Sequence, residues 1–154
     1  MSKIAVFPGS FDPITKGHVN ILNRGLDLFD KVVIAIGHNS AKKYLYSLEQ
    51  RLEMLNAIWA DEDRVEVSSY EGLTVDYCRS IKASYILRGL RSTVDFEYEK
   101  TIAQLNQSQE NEIESIFLMT EPEYGHFHSS VVREIIKHGG DASPYIPAAA
   151  FALI

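Results

Sequence analysis

Lys3-Ile4-Ala5-Val6-Phe7-Pro8-Gly9-Ser10-Phe11-Asp12-Pro13-Ile14-Thr15-Lys16-Gly17-His18 decides the fold and points to the site. Its first five residues read as a buried strand, and Pro8-Gly9 ends that strand as a strong breaker pair. Beyond Gly17-His18, the apolar residues Val19, Leu22, Leu26 and Phe29 recur at spacings of 3, 4 and 3, one face of an amphipathic helix. The segment is therefore strand, loop, helix, the opening unit of an α/β architecture.

The same alternation continues along the chain. Val32 to Ile36 is a second apolar strand ending at Gly37, Val65 and Val67 belong to a third, Tyr85-Ile86-Leu87 to a fourth ending at Arg88-Gly89, and Ile116 to Met119 to a fifth. Between them lie helical patterns. Leu48, Leu52, Leu55 and Trp59 share a face, opened by a Ser47/Gln50 capping box. Val75 to Lys82, Val94 to Asn106 and Ser130 to His138 are further helices, the last stopped by Gly139-Gly140. The alanine-rich stretch from Ala148 reads as a short docking helix or subunit contact. Short apolar strands alternating with helices predict a five-stranded parallel sheet with helices on both faces, as one domain over residues 1–154.

Bulk properties narrow the function. The chain has 154 residues, 45% hydrophobic and 23% charged, with a formal net charge of −6, a balance typical of globular proteins. The acidic balance argues against broad contact with a nucleic-acid backbone, which requires a basic surface, yet a local Lys/Arg cluster can still hold a small anion. The single cysteine, Cys78, can form neither an internal disulfide nor a cysteine-based zinc site and falls among helical core positions. There is no signal-peptide pattern, and no apolar run approaches the roughly 20 residues that span a membrane. Cytosol is the expected location, with no membrane or nucleic-acid partner.

In open parallel sheets, ligands bind beyond the carboxyl ends of the strands. That rule selects the loops Pro8 to Gly17, Gly37 to Ser47, Ser68 to Thr74, Arg88 to Asp95 and Thr120 to Ser129, where the chemically versatile residues gather. Gly9 allows close backbone approach, and a helix opening at Gly17 leaves amides for a phosphate within reach of His18. By itself His18 also reads as a helix-start residue with a satisfied hydrogen bond, and Asp12-Pro13 as a turn. The glycine spacing matches neither a P-loop nor a dinucleotide fingerprint. Lys42-Lys43 follows the second strand and, as a lone pair, reads as a solvated loop. Arg88 continues an apolar strand and so needs an anionic partner: either a ligand phosphate clamped together with Arg91, or an internal carboxylate from Asp95, Glu97 or Glu99. Ser129 and Ser130 can cap the last helix or bind an anion at its start. His126 and His128 lack a third clustered ligand, so no protein-held metal is expected.

Gly9-Ser10-Phe11-Asp12-Pro13-Ile14-Thr15-Lys16-Gly17-His18 resembles the T-x-G-H or H-x-G-H motif of the nucleotidylyltransferase superfamily, and Ser129-Ser130-x-x-Arg133 resembles its S-S-x-x-R motif. With Leu87-Arg88-Gly89-Leu90-Arg91, Asp95-Phe96-Glu97-Tyr98-Glu99 and Glu114-Ser115-Ile116-Phe117-Leu118, the chain resembles the bacterial phosphopantetheine adenylyltransferase family from the first strand to about Pro147. The resemblance implies a Rossmann-like fold and transfer of AMP from ATP to 4′-phosphopantetheine, giving dephospho-coenzyme A and pyrophosphate without a covalent enzyme intermediate. It implies that Ser10, Lys42, Thr74 and Arg88 serve the acceptor. It assigns Ser10, Phe11, His18, Gly89, Leu90, Arg91, Glu99 and the Tyr124, Gly125, His126, Phe127, His128, Ser129, Ser130 stretch to ATP, with His18 catalytic. Mg²⁺ carried on the ATP phosphates and a homohexamer are also implied. Position 10 is often threonine in that family, and serine keeps the hydroxyl; Thr74 stands where some members carry methionine or leucine. Transferases acting on nicotinate mononucleotide or glycerol 3-phosphate, and a nucleotide-binding regulator without turnover, remain as alternatives.

Overall fold

A computed structural model describes residues 1–154. The elements are β1 (Ile4–Gly9), α1 (Lys16–Gly25), β2 (Lys31–Gly37), α2 (Leu48–Ile58), β3 (Val65–Tyr70), α3 (Thr74–Ser80), β4 (Tyr85–Leu90), α4 (Thr93–Gln109), β5 (Glu114–Met119), α5 (Ser129–Lys137) and α6 (Ala148–Phe151). All five strands are parallel, in the order β3-β2-β1-β4-β5. Strand order runs outward in both directions from the β1/β4 pair, so the chain changes direction there, and crevices of open α/β sheets form at that position.

Successive strand residues point to opposite faces, and the sheet divides its core accordingly. Ala5, Phe7, Val32, Ile34 and Ile36 face the larger cluster, where Leu22, Leu55, Leu87 and Ile146 are fully buried. Val6, Val33, Ala35 and Ile86 face the smaller one, with Val75, Cys78 and Ile113. Cys78 is a core residue, and burial pushes its thiol up to about 11. The expected box at α2 is present: Ser47 Oγ accepts from Gln50 N, and Gln50 Oε1 from Ser47 N. The alanine-rich end forms α6, packed on α2 with Ala150 buried.

Two expectations are corrected. Arg88 and Gly89 do not open a loop: β4 continues to Leu90, and they pair with Phe117 and Leu118 of β5. Gly89 is needed within the strand because a Cβ there would lie 2.9 Å from Ile21 Cγ1 of α1. Nor do the serines cap α5. Its N-cap is His128, without a side-chain cap, because Ser129 Oγ instead donates to the Pro13 carbonyl at 3.0 Å.

Candidate active site

At the carboxyl ends of β1 and β4 the surface opens into two cavities that share Pro8, Gly9, Ser10, Arg88 and Glu99 as a common wall. The first, about 230 Å³, extends over the start of α1 to Arg91, Tyr124, Phe127, Ser129 and Arg133. The second, about 270 Å³, extends to Gly37, Thr74, Tyr98 and Asn106.

His18 is held by a modified capping box. Thr15 is the N-cap of α1; its Oγ1 accepts from His18 N at 3.4 Å, and its own N–H donates to His18 Nδ1 at 3.0 Å. In the usual box a Glu or Gln makes the return bond; here an imidazole does. An amide donor on Nδ1 fixes the tautomer, because Nδ1 must present its lone pair and the ring proton must sit on Nε2. Burial, then the Arg88 and Arg91 charges, lower the ring from 6.5 to about 3, so His18 is a neutral Nε2–H donor on the cavity wall. Phe11 braces it edge-on, ring centroids 5.1 Å apart. Phe11 itself adopts a left-handed φ of 46°, uncommon for a bulky residue. That turn slides its ring beneath Gly9, where a Cβ would lie 2.9 Å from Phe11 Cζ. The helix start offers fewer free amides than its sequence suggests. Lys16 N donates to Tyr145 O and His18 N to Thr15, which leaves Gly17 uncommitted.

Each arginine of the cavity already has a protein partner. Arg88 donates from Nε and Nη2 to both oxygens of Glu99, at 3.0 and 2.6 Å, and from Nη1 to the Pro8 carbonyl at 2.5 Å. The internal-carboxylate reading thus holds, with Glu99 as the partner. Three of the five guanidinium N–H groups are engaged, and two remain for a ligand. Arg91 pairs with Asp95 at 3.1 Å, which holds that carboxyl below its usual range. Arg133 Nη1 donates to the Asp12 carbonyl at 2.9 Å. The first cavity therefore balances Arg88, Arg91 and Arg133 against Asp12, Asp95 and Glu99. Its arginines are preorganised, not free to swing.

Of the residues assigned to ATP, the first cavity is lined by Ser10, Phe11, His18, Gly89, Arg91, Glu99, Tyr124, Phe127 and Ser129. Leu90 turns into the core, and Gly125, His126, His128 and Ser130 lie outside both cavity walls. Of the acceptor residues, Ser10, Thr74 and Arg88 line the second cavity, where Thr74 Oγ1 is hydrogen-bonded to the Tyr70 hydroxyl at 2.7 Å. Lys42 lines neither; it is exposed, its Nζ 5.6 Å from the Tyr44 ring centroid. Sequence reading passed over Arg51, which is buried in α2 and donates to the Ser10 carbonyl at 2.8 Å. Asp12, which by itself reads as a turn residue, has a longer reach: its carboxylate accepts from the Leu45 and Tyr46 amides at 2.7 and 2.9 Å. The one local signal for Arg51 was its place on the apolar face of α2, one residue from Leu52 and four from Leu55.

Comparison with known proteins agrees with this fold. Residues 6–135 match the cytidylyltransferase-like family. The chain is 50% identical to the phosphopantetheine adenylyltransferase of Christiangramia forsetii over 145 residues, covering 94% of this chain and 95% of that one. It is 45% identical to the phosphopantetheine adenylyltransferase of Geobacter sulfurreducens, covering 95% and 89%. Among solved structures, a bifunctional NMN adenylyltransferase/ADP ribose pyrophosphatase from Francisella tularensis superposes with a TM-score of 0.73 at 22% identity. This chain spans 45% of that longer protein, and the likeness is one of fold. With the Thr15-Lys16-Gly17-His18 box at the switch point of a Rossmann-like sheet and near-full-length relatives on both sides of it, the chain belongs to the phosphopantetheine adenylyltransferase family of nucleotidyltransferases.

Proposed function

We propose that this single domain transfers AMP from ATP to 4′-phosphopantetheine, releasing pyrophosphate and dephospho-coenzyme A. The observation that carries this reading is the pair of cavities meeting at Ser10 and the Arg88–Glu99 ion pair: two ligands seated there abut at one point, as a two-substrate transfer requires. ATP would occupy the first cavity and the acceptor the second, with Lys42 and the two free N–H groups of Arg88 receiving the acceptor phosphate.

The chemistry follows from the charges. A phosphomonoester is already an anion at neutral pH, so it needs alignment and not a base. One of its oxygens attacks the α-phosphorus of ATP in line, a new P–O bond forms, the bond to the β-phosphate bridging oxygen breaks, and pyrophosphate leaves. No side chain joins covalently. His18 Nε2–H donates to the α-phosphate oxygens as their charge rearranges, and Arg88 and Arg91 offset the repulsion between the two anions. The cavity carboxylates are engaged, Glu99 by Arg88, Asp95 by Arg91 and Asp12 by two amides. This donor set suits a magnesium ion carried on the ATP phosphates, where it would neutralise charge, better than one caged by protein. A cytoplasmic location belongs to the same reading. So does a homohexamer, supported by the apolar residues Val94, Phe96, Leu105 and Met119 exposed on α4 and the adjoining edge strand β5.

The test is direct. Purified protein given ATP, magnesium and 4′-phosphopantetheine releases pyrophosphate and forms dephospho-coenzyme A. ATP binding with no pyrophosphate from this or any other phosphorylated acceptor would overturn the proposal.

A further inference from the structure

Arg51 heads the fully buried side chains in size. A guanidinium is a costly choice for that position. A buried charge gives up its hydration, and an apolar side chain of equal volume often stabilises as well or better. Here the cost is not even fully offset, since Nη2 meets no acceptor. What the guanidinium does make is a set of main-chain bonds in two separate loops. Nη1 donates to the Ser10 carbonyl at 2.8 Å, and Nε donates to the Tyr46 and Ser47 carbonyls at 3.1 and 3.3 Å. Its carbon centre lies 4.0 Å from the centroid of the Tyr44 ring, the ring that carries Lys42 Nζ at 5.6 Å. Tyr44 is anchored in turn, its hydroxyl accepting from Asn39 N at 3.1 Å. The Asp12 carboxylate, bonded to the Leu45 and Tyr46 amides, ties the same two loops together a second time.

We propose that Arg51 is a positioning residue of the transfer reaction: it locks the Ser10 turn to the loop over residues 39–47 and, through the Tyr44 ring, sets where the Lys42 ammonium stands relative to Ser10. The inference rests on the reading above in which Lys42 serves the acceptor phosphate. A planar fork that bonds several carbonyls while stacking on an aromatic face is a task for arginine that lysine cannot duplicate.

Four proteins test it: wild type, Lys42→Ala, Arg51→Met and the double variant. Each is assayed for the KM of both substrates and for amide exchange at Leu45 and Tyr46. Arg51→Met should raise the KM for 4′-phosphopantetheine about tenfold and leave that for ATP within about twofold, and it should add little once Lys42 is gone. Exchange at Leu45 and Tyr46 should quicken, and Arg51→Lys should not restore either property. Equal rises in both KM values, or full additivity with Lys42→Ala, would overturn the proposal. If Arg51→Met does not fold, Tyr44→Leu keeps the buried carbonyl bonds and removes the ring shared by Arg51 and Lys42, together with its hydroxyl bond to Asn39 N; it should show the same acceptor-selective rise, Tyr44→Phe, which loses only that hydroxyl, should not, and an unchanged acceptor KM in Tyr44→Leu overturns the idea. If Lys42→Ala leaves the acceptor KM unchanged, it is the Lys42 assignment that fails. Exchange at Leu45 and Tyr46 then decides the role of Arg51 alone: quickened exchange in the Arg51 variants supports it, unchanged exchange refutes it.

Discussion

The two helices that flank the active cavity are held by different forces. α1 buries Gly17, Ile21, Leu22 and Gly25 against the sheet, and its first turn is closed by the Thr15–His18 box. α4 is longer, 17 residues, yet Glu99 is the one residue it buries, and that carboxylate is bonded to Arg88 in β4. One wall of the site thus stands on apolar packing and the other on an ion pair, while Val94, Phe96 and Leu105 of α4 remain exposed. The difference assigns tasks. On the proposed mechanism, the α1 wall carries the group that must not move during chemistry, and the α4 wall is the one that ionic strength would adjust.

The largest effect is expected on the α1 side. His18→Ala should lower kcat about 100-fold or more, since losing one preorganised donor costs about 3 kcal/mol of transition-state stabilisation, while both KM values change little. Near-normal turnover would show that the fixed wall is only structural. Glu99→Gln comes next. It leaves Arg88 without its counter-charge and should destabilise the protein by about 2 kcal/mol, with amide exchange quickening in α4 before α1. Uniform loss across both helices would erase the distinction between them. Thr15→Ala removes the side-chain half of the capping box and should cost about 1 kcal/mol in thermal or denaturant unfolding, with a smaller effect on kcat, because the main-chain N–H of residue 15 still donates to His18 Nδ1.

At neutral pH the smallest effect is that of His18 titration, which shows itself only in acid. The unfolded chain protonates His18 near 6.5, whereas the fold holds the ring neutral down to about 3. The unfolded state therefore binds the extra proton first. The stability this contributes is whole above pH 6.5 and drains away as pH falls toward 3. His18→Gln should lose stability less steeply across that window, and an unchanged slope would mean the ring titrates normally.

How much of this was legible in the sequence depends on how far each partner lies along the chain. The strands and the Ser47–Gln50 box are local patterns, and the structure has them where they read, except that β4 runs on through Arg88 and Gly89 to Leu90. Arg88 was recognised as needing an anion, and Glu99, 11 residues on, supplies it. The rest joins distant segments. Ser129 reaches Pro13 across 116 residues and Arg133 reaches Asp12 across 121, and no periodicity reports such bonds. Asp12 looked like a turn because Asp-Pro usually is one; its carboxylate partners lie 33 and 34 residues away. Arg51 was hidden for the opposite reason: its spacing is that of a core position, and a charge there is rare enough to be passed over.

The bond from the Thr15 amide to His18 Nδ1 has one more consequence, for substrate choice. That nitrogen is the ring's only basic position, and the main chain already fills it. The imidazole can give a hydrogen bond but has nowhere to receive a proton, and the cavity carboxylates are likewise spoken for by arginines and amides. An alcohol entering the acceptor site would find nothing to deprotonate it, whereas a phosphate arrives already ionised. Under the proposed reaction, the fold would screen acceptors by their acidity before it recognised their shape.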